Sequence, residues 1–188
     1  MAPKTKITKE MIIDAAVGIV RKNGHESINA RSVAKELGCS TQPVMYCFAT
    51  MEDLRKEVYA RINDLHTAYL MEIRDGEDPI LSIGLNYIRF AMEEPYFFKL
   101  LFQSGAASGS GIWEAIDSPD LEPVLGAMEE AMEIGPEKTR EAFLILTLFV
   151  HGYASLVASG GMEYDEKTAS EYLEKTFYTA VAAAGKEI

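Results

Sequence analysis

Residues 29–48 read NARSVAKELGCSTQPVMYCF, two short helical patterns on either side of a Gly38-Cys39-Ser40 turn. In the first pattern Val33, Ala34 and Leu37 fall on one side, and Asn29 stands where its side chain can cap the free amides of the first turn. Gly38 ends this helix. Ser40 is the expected cap of the second helix, where Pro43 is tolerated because first-turn N–H groups lack intrahelical partners in any case. The stretch predicts a helix-turn-helix.

Upstream, residues 8–23 (TKEMIIDAAVGIVRKN) have the pattern of an amphipathic helix. Thr8 is its expected N-cap, Ile12, Ala15, Ala16, Ile19 and Val20 its apolar series, and Gly24 its stop. Three helices can then share one core, closed on its third side by Val44, Cys47 and Phe48, with Ile28 entering from the loop. Thr41, Gln42, Met45 and Tyr46 are left outward, on a face that can meet a DNA groove.

On these residues the first third of the chain resembles the DNA-binding domain of the TetR/AcrR family of transcriptional regulators. The likeness is carried by IIDAA at 12–16, Gly24, SVAKELGCS at 32–40, Tyr46 with Phe48, and MEDL at 51–54. It implies an all-α fold, with an N-terminal three-helix helix-turn-helix domain (1–50) joined by a long helix to a helical ligand-binding and dimerisation domain (51–188). The function implied is that of a homodimeric, ligand-responsive regulator, usually a repressor that leaves an inverted-repeat operator when a small effector binds. Thr41, Gln42 and Pro43 hold the places that approach base edges in the family, and the Gln42 amide can pair with both the acceptor and the donor of adenine.

Two places depart from the family pattern. The tyrosine five places after the serine is Met45 here, with Tyr46 next to it, and the lysine that opens the fourth helix is replaced by Met51. Thr50 is the expected cap of that helix, Arg55 and Lys56 are its nearest bases, and its first-turn amides can still hold phosphate. The expected DNA-binding set is Asn29, Arg31, Thr41, Gln42, Pro43, Met45, Tyr46, Thr50 and Lys56, and the expected partner is double-stranded operator DNA. Met45 and Met51 also admit a different reading, a dimeric helical adaptor whose head has lost specific DNA binding.

A net charge of -11 would ordinarily repel DNA, but the average conceals a split. Residues 1–50 carry seven bases (Lys4, Lys6, Lys9, Arg21, Lys22, Arg31, Lys35) against four acids (Glu10, Asp14, Glu26, Glu36), a net +3, so the remainder carries -14. A weakly basic head on an acidic body suits docking through one end.

The length of 188 residues and 48% apolar composition support a small head and a larger helical body. Leu54, Val58, Ile62, Leu65 and Tyr69 recur at helical steps across 51–73, with His66 among the polar residues between them. After a break at 76–79, helices are expected at 80–92 and from Pro95, then a glycine-rich loop at 105–111 leading to Trp113 and Ile116. Ser118-Pro119 starts a helix bearing Leu121, Leu125, Met128 and Met132, and the last two helices run from Pro136 to about 158 and from Thr168 to about 184, with Thr168 and Glu171 as a capping box. No early stretch has the flanks of a secretory signal, and AFLILTLFVHGYASLVA at 142–158, with its polar spacers, reads as a buried helix. A cytoplasmic protein with no membrane partner and two reduced cysteines, Cys39 and Cys47, is expected.

The segment 136–158 is apolar nearly all round, more than one monomer needs, which points to a homodimer built on the last two helices. His25, His66 and His151 are scattered, no H-E-x-x-H or phosphate loop occurs, and the cysteines lack metal-ligand spacing. No catalytic residue, metal or cofactor is expected. The aromatic excess around Phe98, Phe102, Trp113 and Tyr153, with His151 as a polar contact, instead suggests a site for a small, mostly apolar effector.

Overall fold

Nine α-helices and one 3-10 turn make up the residues that the computed structural model describes, 7–73, 78–105 and 121–185. In chain order α1 is Lys9–Asn23, the 3-10 turn His25–Ser27, α2 Ala30–Glu36, α3 Gln42–Cys47 and α4 Met51–Leu70. They are followed by α5 Pro79–Glu93, α6 Pro95–Phe102, α7 Glu122–Met132, α8 Pro136–Ala158 and α9 Glu166–Gly185. The described parts of residues 1–67 and 94–106 form one compact unit, and those of 68–93 and 107–188 a second, joined by the long helix α4.

In the first unit α1 begins where Thr8 Oγ1 accepts the Met11 N–H at 3.2 Å and ends where the Gly24 N–H donates to Val20 O at 2.9 Å. It packs against α2, α3 and α6. The core so formed buries Ile12, Ala16 and Val20 of α1 with Ile28, Val33, Val44 and Phe48, each large apolar side chain contributing about 1.5–3 kcal/mol. α6 is held on α1 by Arg21, whose guanidinium reaches Glu94 at 3.0 Å and lies 4.9 Å from the centre of the Phe97 ring.

The buried ridge of α4 differs from the apolar series expected of it. Leu54, Val58, Ile62 and His66 are buried at steps of four, while Leu65 is 40% exposed. The reason is a neighbour in α6: the His66 ring stands edge-on to Phe102, 5.2 Å between centres. An imidazole thus takes the core place and the leucine beside it turns to solvent.

In the second unit α8 packs on α5, α7 and α9, and α9 also packs on α5. α5 and α9 approach so closely that a Cβ at Gly84 would stand 2.8 Å from Leu173 Cδ2. α9 starts two residues earlier than expected and is capped by Asp165, whose carboxylate accepts the Thr168 N–H at 2.8 Å. That carboxylate is a stronger N-terminal acceptor than the Thr168 hydroxyl, so the Thr168–Glu171 box gives way to it. Hydrogen bonds from Thr168, first from its side chain and then from its backbone N–H, hold the Asp165 pKa below its usual value.

Burial of α8 is one-sided. Thr139, Ala142, Leu146, Val150, Ala154 and Ala158 face its neighbours, whereas Leu148 and Leu156 are 55% and 52% exposed on the other side. The helix has the length and hydropathy of a membrane span, but α5, α7 and α9 line it in the fold.

The expected break at 76–79 falls between α4 and α5, where residues 74–77 are outside the described residues. So are Trp113, Ile116, the Ser118-Pro119 start and all of the glycine-rich loop after Gly105.

Candidate functional site

Two short helices and the turn between them set the outward face of the first unit. Asn29 Oδ1 accepts from the N–H groups of Arg31 and Ser32 at 3.1 and 3.0 Å, and Ser32 Oγ accepts the Asn29 N–H at 3.0 Å. This reciprocal box fixes the start of α2. Asn29 Nδ2 donates to Ser27 O at 3.3 Å, so both ends of the exposed Asn29 carboxamide are engaged within the fold.

The turn after α2 closes with two hydrogen bonds, Gly38 N–H to Lys35 O at 3.2 Å and Cys39 N–H to Ala34 O at 2.9 Å. Gly38 adopts φ 62°, the left-handed conformation this closure needs. Ser40 does not cap α3. The N-cap is Thr41, with no side-chain cap bond, because Pro43 stands where a cap at Ser40 would need the third amide of the helix, and proline has no N–H.

α3 turns Val44 and Phe48 inward and Thr41, Gln42, Met45 and Tyr46 outward, with Met45 47% and Tyr46 89% exposed. Pro43 and Cys47 are half-buried at its edges. The helix is anchored from behind: Lys9 lies 5.4 Å from the Phe48 ring centre and pairs with Glu57.

Thr50 caps α4 as expected. Its Oγ1 accepts the Asp53 N–H at 3.1 Å and donates to the Asp53 carboxylate at 2.7 Å, while the Thr50 N–H donates to the same carboxylate at 3.0 Å. The Thr50 hydroxyl is committed by this box and holds the Asp53 pKa down. The amides of Met51 and Glu52 are left at the open end of the helix.

Most cations of the unit serve the fold. Arg21 pairs with Glu94, Lys22 with Glu36 at 3.2 Å, Arg61 with Glu10 and Asp14 at 2.5 and 2.8 Å, and Arg55 reaches Ile28 O at 3.2 Å. Among the described residues of this unit Arg31, Lys35 and Lys56 are exposed and form no ion pair. Lys35 was not in the expected set; its spacing of four from Arg31, one face of α2, is the signal that marks it.

The expected effector residues divide between the units. Phe98 is fully buried in the first, its ring 5.0 Å from that of Phe102, which also meets His66. His151 and Tyr153 belong to the second. His151 Nδ1 lies 3.0 Å from Tyr87 Oη, and Tyr153 is 6.2 Å from Phe149 between ring centres. Burial pushes the Tyr87 phenol up and the His151 imidazole down, so both are neutral near pH 7. Tyr87 was not singled out by sequence; its partner is 64 residues away.

A family model of the tetracyclin repressor-like C-terminal domain matches residues 80–179, just over half of the chain. The nicotine-responsive transcriptional repressor HdnoR of Paenarthrobacter nicotinovorans, a helix-turn-helix protein, is 27% identical over 76 residues, 40% of this chain and 39% of its own length. YobS of Bacillus subtilis, an uncharacterized helix-turn-helix regulator, is 24% identical over 103 residues, 53% of each chain. Rv0681 of Mycobacterium tuberculosis, described likewise, is 21% identical over 166 residues, 87% of this chain and 76% of its own. The match therefore spans about half or less of the first two relatives. The crystal structure of a TetR-like transcriptional regulator from Rhodococcus sp. RHA1 superposes with a TM-score of 0.65 at 15% identity, covering 94% of this chain and 96% of that one, a shared fold.

Proposed function

This chain belongs to the TetR family of helix-turn-helix transcriptional regulators, DNA-binding proteins rather than enzymes, and from that premise we propose that it is a homodimeric repressor acting in the cytoplasm, which leaves an inverted-repeat operator when a small, mostly apolar effector binds. DNA binding is assigned to residues 1–50 and effector binding and dimerisation to 51–188. The observation that carries the reading is the outer face of the last hairpin. Leu148 and Leu156 of α8 and Tyr172 and Tyr178 of α9 stand exposed in the single chain, and a second copy is the covering that a two-fold assembly supplies. Two-fold pairing would set two α3 helices at half-sites about one DNA turn, roughly 34–36 Å, apart.

The neutral Tyr87–His151 pair supports a site in the second unit that offers one hydrogen-bonding position among apolar walls, Tyr153 among them. An effector that favours one arrangement of the dimer over another then lowers operator affinity, and operator lowers effector affinity by the same factor. HdnoR is by name responsive to a small molecule, and a comparable response is assigned to this chain.

The test joins mass to DNA binding. Light scattering should give twice the chain mass, 20.8 kDa, and Leu148→Glu with Leu156→Glu should halve it and abolish tight operator binding. A monomeric wild-type protein at micromolar concentration, or equal affinity for selected and random duplexes at moderate salt, would refute the paired reader.

A further inference from the structure

The outward face of α3 carries no formal charge. From Thr41 to Cys47 the helix and its cap hold no Lys, Arg, Asp or Glu, and the side chains presented are a hydroxyl, an amide, a thioether and a phenol. The chemistry of the major groove makes that composition selective. Guanine is read chiefly by the paired donors of Arg or Lys, cytosine by a carboxylate accepting from its amino group, adenine by the amide of Asn or Gln, and thymine by an apolar group against its methyl.

Resting on the reading of α3 as the base-reading helix, we propose that the half-site steps facing α3 are A·T pairs, with Gln42 binding adenine through its amide and Met45 packing on a thymine methyl. Gln42 is exposed at the first turn, and no hydrogen bond within the described fold holds its side chain. Met45 lies three residues on, on the same outward side, and its 47% exposure leaves an apolar group in water that contact with a methyl would cover. Among the described residues of the first unit the exposed cations without an ion pair, Arg31 and Lys35 on α2 and Lys56 on α4, lie outside α3 and suit phosphates.

In-vitro selection from random duplexes with the full-length protein should enrich A·T pairs at the steps protected by α3. On the selected operator, replacing the contacted thymine by uracil removes only the methyl. It should weaken the wild type several-fold and leave Met45→Ala unaffected. Replacing the contacted adenine by 7-deazaadenine should weaken the wild type on the order of tenfold and add nothing to the loss in Gln42→Ala. The analogue effects on the wild type use the unaltered protein, so they stand even where a variant fails to fold. Enrichment of G·C pairs at these steps, or equal analogue effects in wild type and variants, would overturn the assignment while leaving the regulator intact. Failure to enrich any motif would overturn sequence reading itself and this assignment with it.

Discussion

His66 makes the first unit sensitive to acid. Its side chain lies on the buried ridge of α4, 7% exposed, with the Phe102 ring against its edge. Burial lowers its pKa from 6.5 to about 4. The folded protein therefore binds this proton less tightly than the unfolded chain does, and protonation favours unfolding. The stability tied to the neutral ring is whole above the ordinary value and is lost as pH falls from about 6.5 toward 4. At about pH 5 the two states differ in proton binding by a factor of roughly 30, or about 2 kcal/mol, against a total of about 5–15 kcal/mol for a typical domain. His66→Leu keeps an apolar side chain of similar size on the ridge and removes the titration. Urea denaturation of both proteins at about pH 7.5 and pH 5, followed by circular dichroism, should show the wild type losing about 2 kcal/mol more than the variant. Other groups that titrate in this range, including His151, are common to both proteins and cancel. Parallel losses in the two proteins would refute the burial argument.

Two further substitutions probe local geometry. Asn29→Ala removes the carboxamide that holds two amides at the start of α2, and should cost about 0.5–2 kcal/mol in a thermal melt. Gly84→Val drives a branched side chain into Leu173, where even a Cβ stands at 2.8 Å, and should cost about 1–3 kcal/mol by the same measurement despite valine's better helix propensity.

What the sequence made legible is what short-range chemistry dictates. Thr8, Asn29 and Thr50 cap the helices they were expected to cap, because a hydroxyl or amide at the first turn finds its acceptor or donor within three residues. The outward set Thr41, Gln42, Met45 and Tyr46 followed from the inward pair Val44 and Phe48 by helical geometry alone. One misreading arose where a distant segment decides. Periodicity alone does not choose between Leu65 and His66, one residue apart; Phe102 on α6 does. Nor does it bring α6 onto α1, which rests on Arg21 meeting Glu94 and Phe97 some 73 and 76 positions along. The caps at Ser40 and Thr168 failed for local reasons, a missing proline N–H in one case and a competing carboxylate at Asp165 in the other.

The fold also resolves how an acidic chain meets DNA. The net +3 of residues 1–50 does not spread evenly over the head, because Lys9, Arg21 and Lys22 are neutralised by Glu57, Glu94 and Glu36, all but the last outside that stretch. Arg61 in turn masks Glu10 and Asp14. The pairs cancel charge away from the reading face and leave Arg31, Lys35 and Lys56 as its cations among the described residues. On the proposed function, these three phosphate-seeking groups of the described head, six in the proposed dimer, would give a modest nonspecific affinity that falls with salt, while the body's negative charge opposes indiscriminate coating of DNA. On the proposed A·T reading, discrimination comes from groups on α3 that carry no charge. That requirement falls on the amide of Gln42 and the thioether of Met45, so removing either should erode sequence preference, whereas removing Lys35 or Lys56 should weaken every sequence equally.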